Sequence, residues 1–358
     1  MHICIAINGE GRGHFSRARA LAEILVKSHT ITFRAPEHLC TELTTLFPAC
    51  TVKSIPYFAF VQKGFSLDYL KTASVNASLV LSSLRIQSRI ARELKAEGCK
   101  MVLSDFEPFT SRAAKLSGIP VLQLNHPGIV DRIPAFNPAA LVSRAVAAYM
   151  MGHSDRRIIC SFFNGDVGPI IRSELRNQEI SDGKYFVVYQ KKLYAEHLEP
   201  VLSRLKDQDF RLFPKAGESY EKALAGSAGL VAPAGHQSIS EALALGKPVF
   251  VIPVEGQHEQ ELNAQKLSES GFGHWCYYQN IEQELEQYIA NIDHYKRNIA
   301  EAMARGGALR RGRNRWSCAD DTFRAVFLIE DFMAEIACRP EWHRNRLAAP
   351  LIAALYPV

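Results

Sequence analysis

Short apolar runs alternate with amphipathic stretches along this chain, and the alternation runs its course twice with a break between. The first series reads as strands over 2–7, 29–34, 51–55, 101–104, 121–124 and 157–163, with helices over 16–27, 76–97, 110–117 and 139–151. Ala18, Leu21, Ala22 and Leu25 carry the helical spacing, whereas Ile3 to Ile7 is the unbroken apolar run of a buried strand. Asn164 to Gly183, rich in Gly, Asp, Asn, Ser and charge, predicts a linker. The second series places strands over 185–189, 210–213, 229–232 and 249–252 and helices over 193–206, 220–225, 237–245 and 259–270. Helical segments over 281–304 and 319–336 follow. Such alternation is the signature of parallel sheets covered by helices on both faces. The expected fold is α/β, with two doubly wound domains facing across a cleft, where ligands bind at the carboxyl ends of the strands. The boundaries read 1–163 for the first domain, 164–183 for the linker and 184–318 for the second domain. A C-terminal helix and tail, 319–358, complete the chain, and a return of that helix to the first domain is left open.

With 358 residues the chain has room for two cores. A hydrophobic content of 47% against 22% charged excludes a disordered polymer. No apolar run approaches the roughly 18 residues of a membrane span. The opening apolar run has no basic region before it, so a cytoplasmic location is expected. Eight scattered cysteines with no CxxC pair argue against a zinc site and a disulfide framework. The net charge of +5 is mild but uneven. Arg305, Arg310, Arg311, Arg313 and Arg315 crowd one stretch, and Arg339, Arg344 and Arg346 precede an apolar tail, Leu347 to Leu355. That combination suits phosphates and peripheral contact with an anionic membrane. Nucleic acid is not expected, because the arginine stretch lacks interleaved aromatic platforms beyond Trp316.

Two segments carry chemistry. Between the first strand and first helix lies Asn8-Gly9-Glu10-Gly11-Arg12-Gly13-His14. Gly9, Gly11 and Gly13 let backbone turn tightly against a ligand, and His14 at the helix start is placed to act as a base or hydrogen-bond partner. The spacing is not the dinucleotide fingerprint GxGxxG. The second segment is Gly235-His236-Gln237-Ser238-Ile239-Ser240-Glu241, followed by Pro253, Glu259-Gln260 and Asn263-Ala264. A helix starting near His236 offers free amides and the Ser238 hydroxyl to a phosphate. Glu241, on the same face, suits a ribose diol, and Glu259 and Gln260 suit sugar hydroxyls. Asp105, Asn125 and His126 end strands at the cleft edge of the first sheet, and Tyr57 and Phe58 open an aromatic stretch that would suit an acceptor groove or a core. Asp207-Gln208-Asp209 falls in a helix-to-strand turn, where acids are ordinary, so no metal or other cofactor is expected.

The second segment resembles the donor signature of GT-B glycosyltransferases of the UDP-glycosyltransferase and MurG types, G-x-x-S-x-x-E followed by D/E-Q-x-x-N-A. Gly11-Arg12-Gly13-His14 is similar to their first loop, and Val167 to Arg172 to their interdomain segment. The resemblance implies two Rossmann-like domains and transfer of a sugar, with inversion, from a nucleotide diphosphate, UDP being the expected nucleotide, to a hydroxyl of a glycan or lipid-linked acceptor. It implies pyrophosphate contacts from Ser238, neighbouring amides and Arg172, and a catalytic His14 oriented by Asp105. Pro233 stands where plant enzymes carry a pyrophosphate-binding histidine, and Gln190-Lys191-Lys192 replaces the glycine-rich loop of MurG, so lysines are expected to take over phosphate contacts there. The rival readings are a UDP-sugar hydrolase of the pseudaminic-acid-pathway type and a non-catalytic phosphate-binding protein.

Overall fold

The computed structural model describes residues 1–64, 66–133, 138–189, 198–311 and 313–338. Its first sheet has six strands in the order β3-β2-β1-β6-β7-β8. These are β1 (His2–Ile7), β2 (Thr30–Ala35), β3 (Thr51–Ser54), β6 (Met101–Asp105), β7 (Val121–Asn125) and β8 (Arg156–Ile159), all parallel. The second sheet has five parallel strands in the order β10-β9-β11-β12-β13, spanning β9 (Tyr185–Tyr189), β10 (Asp209–Phe213), β11 (Gly229–Pro233), β12 (Val249–Ile252) and β13 (Gly273–Trp275). In each, the first strand of the domain, β1 or β9, lies inside the sheet with later strands on both sides, and this reversal of strand order makes a switch point at which loops diverge and a ligand can enter. These are two Rossmann-like domains.

Several elements differ from the sequence reading. A helix at Glu37–Leu46, the strand β13 and a small hairpin of β4 (Gln62–Lys63) and β5 (Ser66–Leu67) were not foreseen. The long helix begins at Tyr69 rather than at 76, because the Asp68 carboxylate accepts the amide of Lys71 at 2.9 Å and caps it. The 281–304 segment is two helices, Ile281–Ala290 and Ile292–Ala304, meeting at Asn291. The arginine stretch folds as an antiparallel hairpin, Ala308–Arg311 against Asn314–Ser317. Its buried pair, Leu309 opposite Trp316, supplies the apolar anchor, while Arg310 faces Arg315 in register. Lys191, Lys192, the expected start of the 193–206 helix, and the tail with Arg339, Arg344 and Arg346 lie outside the described residues.

Packing joins the domains. One buried cluster runs from Phe109, Ile129, Phe162 and Phe163 of the first domain into Ala234, Ile239, Leu262 and Trp316 beyond the linker. A second covers the other face of the first sheet, and the last helix, Thr322–Cys338, enters it through Ala325, Val326, Ile329, Phe332, Met333 and Ile336. That helix therefore packs on the first domain, against helix Gly13–Leu25. Arg156 braces it, pairing with Asp331 at 2.8 Å and lying 5.1 Å from the Phe332 ring centre. Phe332→Ala should remove about 3–5 kcal/mol of stability, read as a lower urea midpoint with an unchanged far-ultraviolet spectrum at zero denaturant. A midpoint equal to wild type would show that the returning helix adds nothing to the first core.

Candidate active site

Parallel pairing of β1 with β6 sets Ile7 beside Asp105, so the loop after β1 emerges next to the end of β6. Asn8 ties the two: its amide donates to the Asp105 carbonyl at 3.2 Å, its side-chain Nδ2 to the Phe106 carbonyl at 2.9 Å, and its Oδ1 accepts from the Glu10 amide at 2.9 Å. Gly9 is required by space, since a Cβ there would lie 2.5 Å from Pro36 Cγ and 2.6 Å from Tyr57 Cγ. Gly11 is required by conformation, at φ +74°. Helix Gly13–Leu25 then starts with His14 facing the cleft.

His14 Nδ1 lies 2.7 Å from Asp105 Oδ1. A carboxylate can only accept, so Nδ1 carries the proton and Nε2 is the unprotonated nitrogen left for the cleft. Arg17, one turn further on, completes the cluster. Its Nε donates to Asp105 Oδ2 and a terminal nitrogen to Oδ1, both at 2.9 Å, and that same nitrogen is 3.0 Å from His14 Nδ1. Burial alone would raise the Asp105 pKa, but the Arg17 and His14 charges and hydrogen bonds outweigh it and hold the carboxyl below its ordinary value. Phe106, held at φ +60°, lays its ring parallel to the imidazole at 5.9 Å. A left-handed phenylalanine is strained by about 1–3 kcal/mol, and such strain gathers at functional sites.

Across the cleft, β11 ends at Pro233 and Gly235 leads helix His236–Ala244, whose first amides have no side-chain cap. A Cβ at Gly235 would meet nothing within 4 Å, so the space before the helix start is open. Gly13 comes so close to this helix that a Cβ would stand 3.2 Å from Gln237 Cβ. The facing loops thus enclose a cleft of about 790 Å³. Its walls include His14, Arg17, Phe106 and His126 on one side and Gly235, His236, Gln237, Ser238, Glu241, Glu259 and Gln260 on the other.

Arg172, from the linker, is the charge that connects the walls. It pairs with Glu241 at very short range, with Glu221 at 2.6 Å, and donates to Ser16 Oγ at 3.3 Å. Gln237 supports Glu241 at 3.1 Å and reaches the Ile170 carbonyl at 3.0 Å. Burial raises the Glu241 pKa although Arg172 pulls it down, whereas Glu221, partly exposed, is held low against burial by its bond to Arg172. Glu259 sits 3.7 Å from His126 Nε2, and burial raises it. Gln260 is turned inward, accepting from the Val254 amide at 3.1 Å and donating to Gln257 at 2.8 Å.

His126 is a domain joint. Its Nδ1 meets the Cys160 carbonyl at 3.1 Å, its Nε2 meets Asn263 Oδ1 at 2.9 Å, and its ring stacks on His236 at 3.8 Å. Burial and the Arg17 cation push its pKa down to about 3. Two other residues read as acceptor contacts do not reach the cleft. Phe58 stacks on Phe109 at 5.1 Å in the core, and Asn125 spends its side chain on the Gly128 amide and Gln123. Tyr57 packs its ring near His38 and against Gly9, while Phe60 and Gln62 line the cleft instead. Arg17 and Glu221 were missed by the sequence reading. The only local signal was the i+3 spacing of Arg17 from His14, and for Glu221 there was none.

Two facing Rossmann-like domains, with a cleft between strand ends, define a GT-B glycosyltransferase fold. The chain belongs to glycosyl transferase family 1, whose model matches residues 1–293. An uncharacterized glycosyltransferase of Methanosarcina acetivorans is 26% identical over 359 residues, covering 85% of this chain and 94% of that protein. Among solved structures, MurG of Acinetobacter baumannii aligns with TM-score 0.58 at 15% identity, covering 92% of this chain and 99% of its own. UGT2 of Phytolacca americana, complexed with UDP-2fluoro-glucose and pterostilbene, aligns at 0.62 and 13%, covering 92% and 98%. The protein is a glycosyltransferase enzyme.

Arg172 and its carboxylates generate a stability prediction. Arg172→Met should cost about 3–5 kcal/mol, because Glu241 and Glu221 lose the cation they share and Glu241 is left charged in a buried place. Arg172 pulls the buried Glu241 carboxyl down against burial, so its removal raises that folded pKa further, and the loss should deepen as pH rises above the ordinary carboxylate range. Urea unfolding at pH 5 and pH 8 tests this, and an equal loss at both would refute the assignment to Glu241.

Proposed function

We propose that this glycosyltransferase moves a sugar from a nucleoside diphosphate, UDP in the first instance, to an acceptor hydroxyl with inversion at the anomeric carbon. The observation that carries the reading is the His14–Asp105 pair facing an open helix start across one cleft. An acceptor hydroxyl must lose its proton as it attacks, and His14 Nε2 takes it while Asp105 stabilises the imidazolium. The new bond forms from the acceptor oxygen to the anomeric carbon as the bond to the diphosphate oxygen breaks, its electron pair leaving with the nucleotide. The amides of His236, Gln237 and Ser238 and the Arg172 guanidinium meet the growing negative charge, a task for which no metal is invoked. Glu241 exchanges part of its bond to Arg172 for the ribose diol, and Glu259 with Gln260 takes the sugar hydroxyls.

The test is a panel of nucleotide sugars, reading released nucleotide with and without cell-extract acceptors, in the presence of a chelator. His14→Ala should lower turnover roughly 10²–10⁴-fold with UDP affinity nearly intact, and Asp105→Asn less. Full activity in folded His14→Ala would remove it as base. Free sugar released without acceptor would select the hydrolase reading.

The acceptor is proposed to be lipid-linked or a cell-envelope glycan met at the inner face of a membrane. Among the described residues no helix is long and apolar enough to cross one. Helix Tyr69–Ala96 exposes Leu70, Leu81 and Leu84 at 86%, 88% and 68%, and further along it exposes Arg85, Arg89 and Arg92. Its first residue reaches the second domain, where the Tyr69 hydroxyl donates to the carbonyl of Gly256, next to the cleft-lining Gln257, at 2.7 Å. Binding to vesicles containing anionic lipid at low salt is expected, weakening as salt rises. Equal sedimentation with neutral vesicles, or none with either, would sink this part of the reading.

A further inference from the structure

An imidazole bonded to a carboxylate has an electrostatic difficulty as a base. The carboxylate orients it, yet favours the imidazolium, raising its pKa by about 1–3 units. A ring already protonated at neutral pH cannot accept a proton from an acceptor. In this protein the carboxylate is not left to the histidine alone.

We propose that Arg17 is a positioning residue for His14: it shares the Asp105 carboxylate and sets its own cation beside the ring, where that charge opposes the imidazolium. The proposal rests on the reading of His14 as the base. Its ground is geometric. Both Asp105 oxygens accept from Arg17 at 2.9 Å, and Oδ1 divides its capacity between Arg17 and His14. The guanidinium nitrogen that reaches Oδ1 stands 3.0 Å from His14 Nδ1, closer than any solvent layer would permit. Arg17 is 2% exposed, so water does little to screen it. Since Nδ1 already carries a proton, that contact is a cation against an N–H, unfavourable in itself and more so once the ring is charged. Asp105 offsets it in the neutral state.

The division of labour follows. Asp105 selects the tautomer that exposes Nε2, and Arg17 locks both carboxylate oxygens so that this tautomer keeps one orientation. The positive charge of Arg17 then opposes premature protonation and hastens loss of the proton after transfer. Among the described residues, His126 from its own domain and Glu259 from across the cleft also interact with the His14 charge. Glu259 favours the imidazolium and itself feels the Arg17 cation, so the comparison with Arg17→Lys, which keeps the charge, separates the cation from the rest of the side chain. Phe106 covers the ring on a face that adds no charge.

The experiment is an NMR titration of the full-length protein labelled at histidine, with the His14 resonance identified by its loss in His14→Gln. In Arg17→Gln the His14 midpoint should rise by about one to two pH units, and the acid limb of kcat/KM should move up by the same amount. Arg17→Lys, which retains the cation, should move both much less. Arg17→Met, which preserves the packing of the aliphatic stem, repeats the test if Arg17→Gln does not fold. An unmoved midpoint in the neutral variants, or an equal movement in Arg17→Lys, overturns the proposal. Failure of both neutral variants to fold, with an unmoved midpoint in Arg17→Lys, would make Arg17 a structural ion and overturn it too. The titration needs no turnover. If it moves as expected while His14→Ala stays fully active, the electrostatic assignment stands and the base reading falls.

Discussion

The register of β1 against β6 is the constraint on which the rest of the site depends. Because Ile7 stands beside Asp105, the first loop and the end of the sixth strand share one edge of the sheet. A slip of one residue would turn every side chain of a strand to the opposite face. Register is strongly specified here, since β6 is buried at every position and β1 at all but its first. From that registration come the Asn8 ties, the strained turn at Phe106 and the delivery of a carboxylate to the first helix. Three charged or titratable side chains then satisfy one another where water is scarce, which makes their geometry stiff.

Among the described residues the second domain contributes no comparable cluster of its own. It contributes an open helix start and a pair of carboxylates, and these become a site only because the domains are packed together. The shared core through Phe162, Phe163, Ile239 and Trp316 holds them, and the returning helix Thr322–Cys338 clamps the first domain from the far side. Arg172 spans what remains of the gap. With its guanidinium already between Glu221 and Glu241, the proposed diphosphate and ribose would exchange partners within an existing network rather than meet unpaired buried charge. Such an exchange keeps buried groups bonded throughout, which limits the desolvation cost of binding.

Much of the architecture was legible because strand and helix periodicities are local. The alternating series, the break near Asn164 and the fold class need no knowledge of partners. Where local pattern was weak, the reading failed: the helix Glu37–Leu46, the three residues of β13 and the hairpin hidden among the arginines. The hairpin depends on Trp316, whose indole donates to the Lys266 carbonyl at 3.1 Å, a contact fifty residues away along the chain. A charge-rich stretch gives no sign of such an anchor.

For the site the same division holds. The sequence by itself determined the segments in which glycines, an imidazole and a spaced Ser–Glu pair occupy strand-to-helix turns, because these requirements are met within a few residues. Only the tertiary structure decided which side chains meet there. Arg17 could be read as one more solvated cation on a helix, and Glu221 as an ordinary first-turn acid. Phe58 and Asn125 looked like groove residues, yet both are enclosed in the first domain. The physical reason is that a side chain's environment is set by neighbours far off in sequence, and electrostatic roles follow from distances of about 3 Å that no local pattern encodes.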